Sequence, residues 1–154
     1  MTYNIIIRNV QPSDIDAVFD IRNILLDLPD ADKFFKNSKK LTPEKHARWF
    51  AAQLKPANRR NFFLAIQDDR AVGYLRYAGK ENIYTVSIAV LPRFQKSGIG
   101  SQLLRQTLSK IERRGKQVQA EVRSDNIVSL KFFEKHGFIR LIEKDGYVLF
   151  ARKL

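Results

Sequence analysis

The feature that most constrains this chain runs without interruption from Ser87-Ile88-Ala89-Val90-Leu91, through Pro92-Arg93-Phe94, into Gln95-Lys96-Ser97-Gly98-Ile99-Gly100-Ser101 and on to Gln102-Leu103-Leu104. Residues 83–91 give the longest strand signal in the sequence, apolar on both faces as a central strand is. Beyond the glycines, Leu103, Leu104, Leu108 and Ile111 share one helical stripe. Arg113-Arg114 stand at the end that favours cations, and Gly115 stops the predicted helix, which spans 99–114. A strand that turns over such a loop aims the unpaired N–H groups of the helix start at one point, and Gly98 and Gly100 remove side chains that would block a phosphate. A pyrophosphate suits that cradle. Taken alone, the same glycines also make an ordinary tight turn before a helix.

The rest of the chain supplies the frame. Tyr3, Ile5 and Ile7 alternate as a strand, and Pro12-Ser13-Asp14 opens a helix carrying Ile15, Val18, Phe19, Ile21, Ile24 and Leu25. Residues 27–41 lack a sustained period and read as a long loop. Thr42-Pro43-Glu44 starts a helix running to about Leu54, because Thr caps, Pro is pre-set for the first position and Glu complements the dipole. After a basic loop over 55–61, residues 62–66 and 71–77 form an antiparallel hairpin about 67–70, and a second turn over 79–82 leads to the central strand. The expected order then continues with a strand over 117–123, a helix over 128–135 ended by Gly137, and a hairpin of 138–143 with 147–152 turning at Asp145-Gly146.

Two common nucleotide motifs are set aside on their residues. A Walker A loop needs Lys-Ser or Lys-Thr after the last glycine, and Ser101-Gln102 stand there instead. A dinucleotide fingerprint is closer, with Asp125 beyond the next strand, but Leu103 occupies its third glycine position and the hairpins at both ends disfavour a doubly wound sheet.

Context makes the loop specific. Gln95, Gly98 and Gly100 meet the pattern Gln/Arg-x-x-Gly-x-Gly/Ala, Val90-x-Pro92 precedes it, and Asn126-x-x-Ser129-x-x-Phe132-Phe133-Glu134-Lys135-His136-Gly137-Phe138 follows. On these residues the chain resembles the GNAT acetyltransferase superfamily along essentially its whole length. The resemblance implies an α+β fold: a mixed, mostly antiparallel and strongly bent sheet of about seven strands with about four helices, its central parallel pair opening as a V-shaped cleft. It also implies acetyl-CoA as cosubstrate and a primary amine as acceptor. The backbone of Ile88, Ala89 and Val90 would pair with pantetheine like an added strand. Gln95, Lys96, Ser97, Gly98, Ile99, Gly100 and Ser101 would hold the pyrophosphate, with Asn126 touching the cofactor where the central strands part and Phe133 beside it.

Acetyl transfer requires the amine to lose a proton and the departing thiolate to gain one. Where many members carry a tyrosine acid, this chain has Phe133, so an inactive acyl-CoA-binding module is an alternative. Three side chains are candidates for the proton. Tyr84 falls where histone-type members place a base, although packing on the sheet is its ordinary role. Glu121 alternates with Val122 and would face either the cleft or solvent. His46 titrates in the right range, against a default reading as a surface histidine. His136, in a last helical turn, reads as a cationic cap.

For the acceptor, Glu44-x-His46-x-x-Trp49-Phe50 together with Arg22-Asn23 resembles the subgroup that acetylates nucleotide-linked amino sugars, and is also similar to enzymes acting on protein N-termini or small-molecule amines. Asn23 and Trp49 are the expected contacts, and Lys39, Lys40, Arg48, Arg59 and Arg60 suit a nucleotide diphosphate. Core packing is the alternative role for Trp49 and the preferred one for Phe50.

Composition bounds the remainder. At 154 residues, 44% apolar and 29% charged, the chain reads as one globular domain over 1–154. It has no cysteine and two histidines, which rules out thiolate chemistry and leaves too few imidazoles for a zinc site, so no metal is expected. Arg8 and Asn9 interrupt the apolar start well short of a signal or spanning length, so no membrane association and a cytoplasmic location are expected. The net charge of +12 favours an anionic partner. The basic residues are scattered without aromatic interleaving, which points to a solvated basic surface rather than a nucleic-acid site. A homodimer is the default expectation for assembly.

Overall fold

The computed structural model describes residues 4–29, 31, 40–80, 82–111 and 116–154. β1 (Ile5–Asn9) leads through a short 3-10 turn to α1 (Ile15–Leu26), followed by α2 (Pro43–Gln53) and α3 (Pro56–Arg59). A meander of β2 (Phe62–Gln67), β3 (Arg70–Lys80) and β4 (Ile83–Val90) comes next, then α4 (Ile99–Leu108), β5 (Gln117–Arg123) and α5 (Ile127–Lys135). The hairpin of β6 (Ile139–Lys144) and β7 (Tyr147–Lys153) ends the chain. The seven strands form one α+β sheet in the order β1-β2-β3-β4-β5-β7-β6, with β4 and β5 its parallel pair.

The helix starts follow from their residues. Thr42 accepts from the Lys45 amide at 3.2 Å while Pro43 occupies the first position of α2. Asn126 caps α5 by accepting from Ser129 N at 3.3 Å. At the other end of the chain Asp145 and Gly146 both take positive φ, the geometry of a tight two-residue hairpin turn.

Apolar residues divide between the two sheet faces. On one, Leu103, Leu104 and Leu108 of α4 and Leu130 and Phe133 of α5 pack on Phe63, Leu75, Tyr84, Val118 and Phe150. On the other, Val18, Ile21 and Leu25 of α1 and Phe50 of α2 pack on Phe62, Leu64, Tyr74 and Ala89. Each fully buried side chain of this size contributes roughly 1.5–3 kcal/mol before entropy is counted. Thr107, a polar residue in the α4 stripe, is satisfied by the Tyr77 hydroxyl at 2.7 Å and by the Leu103 carbonyl at 2.6 Å.

Several boundaries differ from the sequence expectation. The supposed basic loop contains α3, begun by Pro56. β3 continues through Gly79 to Lys80, two residues into the turn expected over 79–82, and Lys80 pairs with Ile83. α4 ends at Leu108, where Lys110 N bonds Thr107 O at 2.9 Å in a tightened last turn. Arg113, Arg114 and Gly115, expected to finish that helix, lie outside the described residues, as does most of the expected loop between α1 and α2. Among the described residues no helix is long and apolar enough to cross a membrane.

Candidate functional site

Pairing between β4 and β5 is confined to Ile83↔Gln117, Tyr84↔Val118 and Thr85↔Gln119. β4 continues to Val90 and β5 to Arg123, each still paired on its outer side, with β3 and β7. The central strands therefore part after Thr85 and Gln119, and the inner edge of residues 86–90 keeps backbone groups that another extended chain can pair with. Ile88, Ala89 and Val90 lie on that edge.

At the open end of β4 the chain turns through Pro92–Phe94 into the glycine loop. Gln95 donates its side-chain amide to the Val90 carbonyl at 3.0 Å, tying the loop back to the strand. Ser97 Oγ bonds the Phe94 carbonyl. Lys96 has φ 64° and Gly98 has φ 87°, so the loop passes through two left-handed residues just before α4. The first amide of α4 with a helical acceptor is Gln102, on Gly98 O at 3.0 Å. Those of residues 96–101 have no acceptor among the described residues, which makes this helix start an anion cradle beside the free edge of β4. Gly100 has a different reason: a Cβ there would stand 3.4 Å from the Phe132 ring, so its small size serves the packing of α4 against α5.

The two halves of this arrangement fit a long, partly anionic thioester such as acetyl-CoA.

The remaining candidates divide. Glu121 is exposed on the β5 limb and shares its sheet face with Gln119, which pairs with Thr85. Tyr84 lies where the strands are still paired and is 4% exposed, turned toward the α4 face. Lys116 Nζ donates to its hydroxyl at 3.1 Å and Tyr77 meets its ring edge-on at 6.1 Å. Asn126 is buried, its carboxamide engaged as the α5 cap. Phe133 is 7% exposed and packs on Phe138 and Phe150.

His46 is not a surface residue: α1 and α2 close over it, leaving it 2% exposed against Phe19, Trp49 and Phe50. Arg22 approaches Nδ1 at 3.4 Å. An arginine only donates, so Nδ1 accepts, and Nε2–H donates to the Ile15 carbonyl at 2.9 Å. Burial depresses the His46 pKa and Arg22 adds to that, against the opposing pull of the Ile15 carbonyl. Both ring nitrogens are thus committed, which makes this histidine a support for Arg22.

His136 also departs from expectation. Arg152 caps its carbonyl at 2.9 Å, while the imidazole reaches Ser101 Oγ at 2.9 Å and links α5 to the start of α4. Burial, then Lys135, Arg105 and Arg152, depress its pKa, which is the opposite of a cationic cap.

On the α1 and α2 side, Asn23 Oδ1 accepts from Leu41 N at 3.3 Å and so anchors the chain entering α2. Trp49 is partly buried over Phe62, with the Arg22 guanidinium 4.0 Å from its ring centre. Arg76, which the sequence reading passed over, also approaches that indole, at 5.6 Å. Its signal was an arginine among Tyr74, Leu75 and Tyr77 in an otherwise apolar strand. Other basic residues serve local structure: Arg59 donates to Val10 O at 3.0 Å, Arg60 to Pro56 O at 3.4 Å, and Lys40 pairs with Asp27 at 3.3 Å. Lys39 lies outside the described residues. A cleft of about 500 Å³ borders Asn23, Asp20 and Lys40 and reaches Leu91 at the end of β4.

Comparison with known proteins agrees with this fold. Residues 22–138 match the family model described as Acetyltransferase (GNAT) family. The chain is 28% identical over 144 residues to an N-alpha-acetyltransferase of Saccharolobus solfataricus, spanning 84% of this chain and 85% of that protein. Among solved structures, an N-acetyltransferase from Staphylococcus aureus Mu50 superposes with a TM-score of 0.77 at 19% identity, over 97% of this chain and 98% of that one. The PaiA N-acetyltransferase of Thermoplasma acidophilum in complex with coenzyme A superposes with a TM-score of 0.70 at 16% identity, over 98% and 99%.

Proposed function

Since the chain belongs to the GNAT acetyltransferase family and is an acetyl-CoA-dependent N-acetyltransferase, we propose that it works as a single domain over residues 1–154 and acetylates the α-amino group of a polypeptide N-terminus. The relative from Saccharolobus solfataricus, named an N-alpha-acetyltransferase, supports that acceptor. The observation that carries the cofactor half is the parting of β4 from β5 beside the uncapped start of α4.

In this reading acetyl-CoA supplies an activated acetyl thioester, and the protein's part is placement and proton management. The backbone of Ile88, Ala89 and Val90 holds the pantetheine. The amides of Lys96, Ser97, Gly98, Ile99, Gly100 and Ser101 hold the diphosphate, with Gln95 keeping the loop against the strand. Asn126 and Phe133 act from beneath, by capping α5 and by packing it on the sheet.

The attacking amine must be neutral, and Glu121 is the carboxylate on the open limb of β5 on the face shared with Thr85. It takes the amine proton through water. His46 and Tyr84 are positioning and packing groups, because their polar atoms are committed elsewhere. A second reading, an amino group on a nucleotide-linked sugar, draws on Trp49, whose indole beside two guanidiniums suits a base and its phosphates.

The test is acetyl transfer to a peptide panel with different first residues, matched with the same peptides blocked at the α-amine, and to a nucleotide-linked amino sugar. CoA thiol release and acetyl incorporation at the α-amine only of unblocked peptides is the expected result. Release with the sugar alone favours the second reading, and no amine-dependent release defeats both.

A further inference from the structure

Two guanidiniums, Arg22 from α1 and Arg76 from β3, flank the indole of Trp49 at 4.0 and 5.6 Å from its ring centre. Their other contacts are with neutral groups: Arg22 meets His46 Nδ1 at 3.4 Å and the buried Tyr74 hydroxyl, and Arg76 donates to Gln53 Oε1 at 3.3 Å. Among the described residues neither forms an ion pair with a carboxylate. Both are partly buried, and burial depresses both pKa values, with the charge of Arg22 adding to the effect at Arg76. Among the described residues these two like charges are thus drawn together, half out of water and without a counter-charge, which opposes folding unless something anionic joins them.

Their place in the fold says what that anion belongs to. Arg76 pairs with Ser87 across β3 and β4, and the two side chains share a sheet face. Ser87 is exposed on the stretch of β4 that has already left β5. One strand spacing, about 4.8 Å, thus separates Arg76 from the free edge where the acyl group would sit. An acceptor reaching that edge with its amine comes within one strand spacing of Arg76.

We infer that Arg22, over the Trp49 ring, and Arg76 beside it form an anion-binding subsite that selects acceptors carrying a carboxylate or phosphate close to the reacting amine. This rests on the acetyl-transfer reading above and narrows its substrate class. His46 is a positioning residue for the subsite, holding Arg22 through Nδ1. A guanidinium stacked on an aromatic face keeps its in-plane N–H groups available, which suits bidentate recognition of either anion.

Trp49 is the only tryptophan in the chain, so its emission reports on this pair directly. The protein is saturated with CoA, which fills the α4 cradle, and titrated with inorganic phosphate at constant ionic strength. A saturable change in emission is expected, weakened about tenfold or more in Arg76→Gln and in Arg22→Gln, the scale of losing a hydrogen bond to a charged group. Arg76→Lys keeps the charge without the fork and should fall between, which separates charge from a packing defect. Met-Asp and Met-Asn peptides, and UDP against uridine, then compete with phosphate. Competition by Met-Asp but not Met-Asn assigns the anion to an acidic second residue, and competition by UDP but not uridine assigns it to a nucleotide phosphate. An unsaturable response, an unchanged affinity in Arg76→Gln, or competition blind to the anionic group overturns the inference. Binding is read here without turnover, so a failure of acetyl transfer would defeat the proposed function while leaving this titration unchanged.

Discussion

Replacing Gly98 with alanine tests the cofactor loop through backbone conformation alone. Gly98 has φ 87° and ψ 2°, and a Cβ added there meets no heavy atom within 4 Å. The substitution therefore creates no clash. What it adds is the cost of holding an L-residue in the left-handed region, about 1–2 kcal/mol. That quantity must appear in one of two places. If the loop keeps its shape, the folded state is less stable by that amount, a fall in Tm of about 2–8 °C for a chain of this size. If the loop relaxes to negative φ, stability is spared but acetyl-CoA must force the amides back into line, and its affinity falls about five- to thirtyfold. Thermal melts without ligand and calorimetric titration with acetyl-CoA together recover the sum. Gly100→Ala is the control: its Cβ would lie 3.4 Å from the Phe132 ring, on the α5 side. It should leave affinity within about twofold while raising helix stability by up to ~1 kcal/mol. If Gly98→Ala melts and binds like the wild type, the left-handed loop is not what holds the cofactor.

Other expectations follow from particular contacts. Tyr77→Phe removes the buried hydroxyl bonded to Thr107 at 2.7 Å. Because Thr107 keeps its bond to the Leu103 carbonyl, the loss should be about 1–2 kcal/mol by urea denaturation, and no change would show that the hydroxyl pair is neutral to stability. His46 has a folded pKa depressed below its ordinary 6.5, so the unfolded chain binds the extra proton first. Stability from this group is full above about pH 6.5 and is lost as pH falls through the folded value, and the denaturation midpoint of His46→Gln should change less between pH 8 and 5 than that of the wild type. Equal slopes would mean that the buried imidazole is not the titrating group. Glu121→Gln should lower kcat by about a hundredfold or more with the KM for acetyl-CoA unchanged, as expected for loss of a general base. A loss below about tenfold would remove Glu121 from that role.

The cofactor half of this protein is local in the chain, and for that reason it was legible. Strand, loop and helix follow one another from Ser87 to Leu104, so the turn chemistry of Gly98 and the start of α4 depend on neighbours a few residues away. The same holds for the Asn126 cap, whose side chain accepts from Ser129 N, and for the turn at Asp145 and Gly146, set by positive φ at two adjacent residues. Helix ends were less readable, since the last turn of α4 is tightened at Thr107 rather than continued toward the arginines. Burial was not readable at His46, because Lys45, Ala47 and Arg48 beside it look like a surface and only the closing of α1 over α2 removes water from the ring.

The acceptor side was decided by tertiary structure. The parting of β4 from β5 is a property of two strands whose register ends at Thr85 and Gln119, and no residue in either strand announces it. Arg22 and Trp49 stood out in the sequence on the acceptor side, but Arg76 did not, and only the fold brings the three together from α1, α2 and β3. Sequence determined the loop because its geometry is set by φ preferences and hydrogen bonds between near neighbours. Only the packed fold could bring the charges together, because their energy depends on distance through space and on how much water the surrounding helices and sheet exclude.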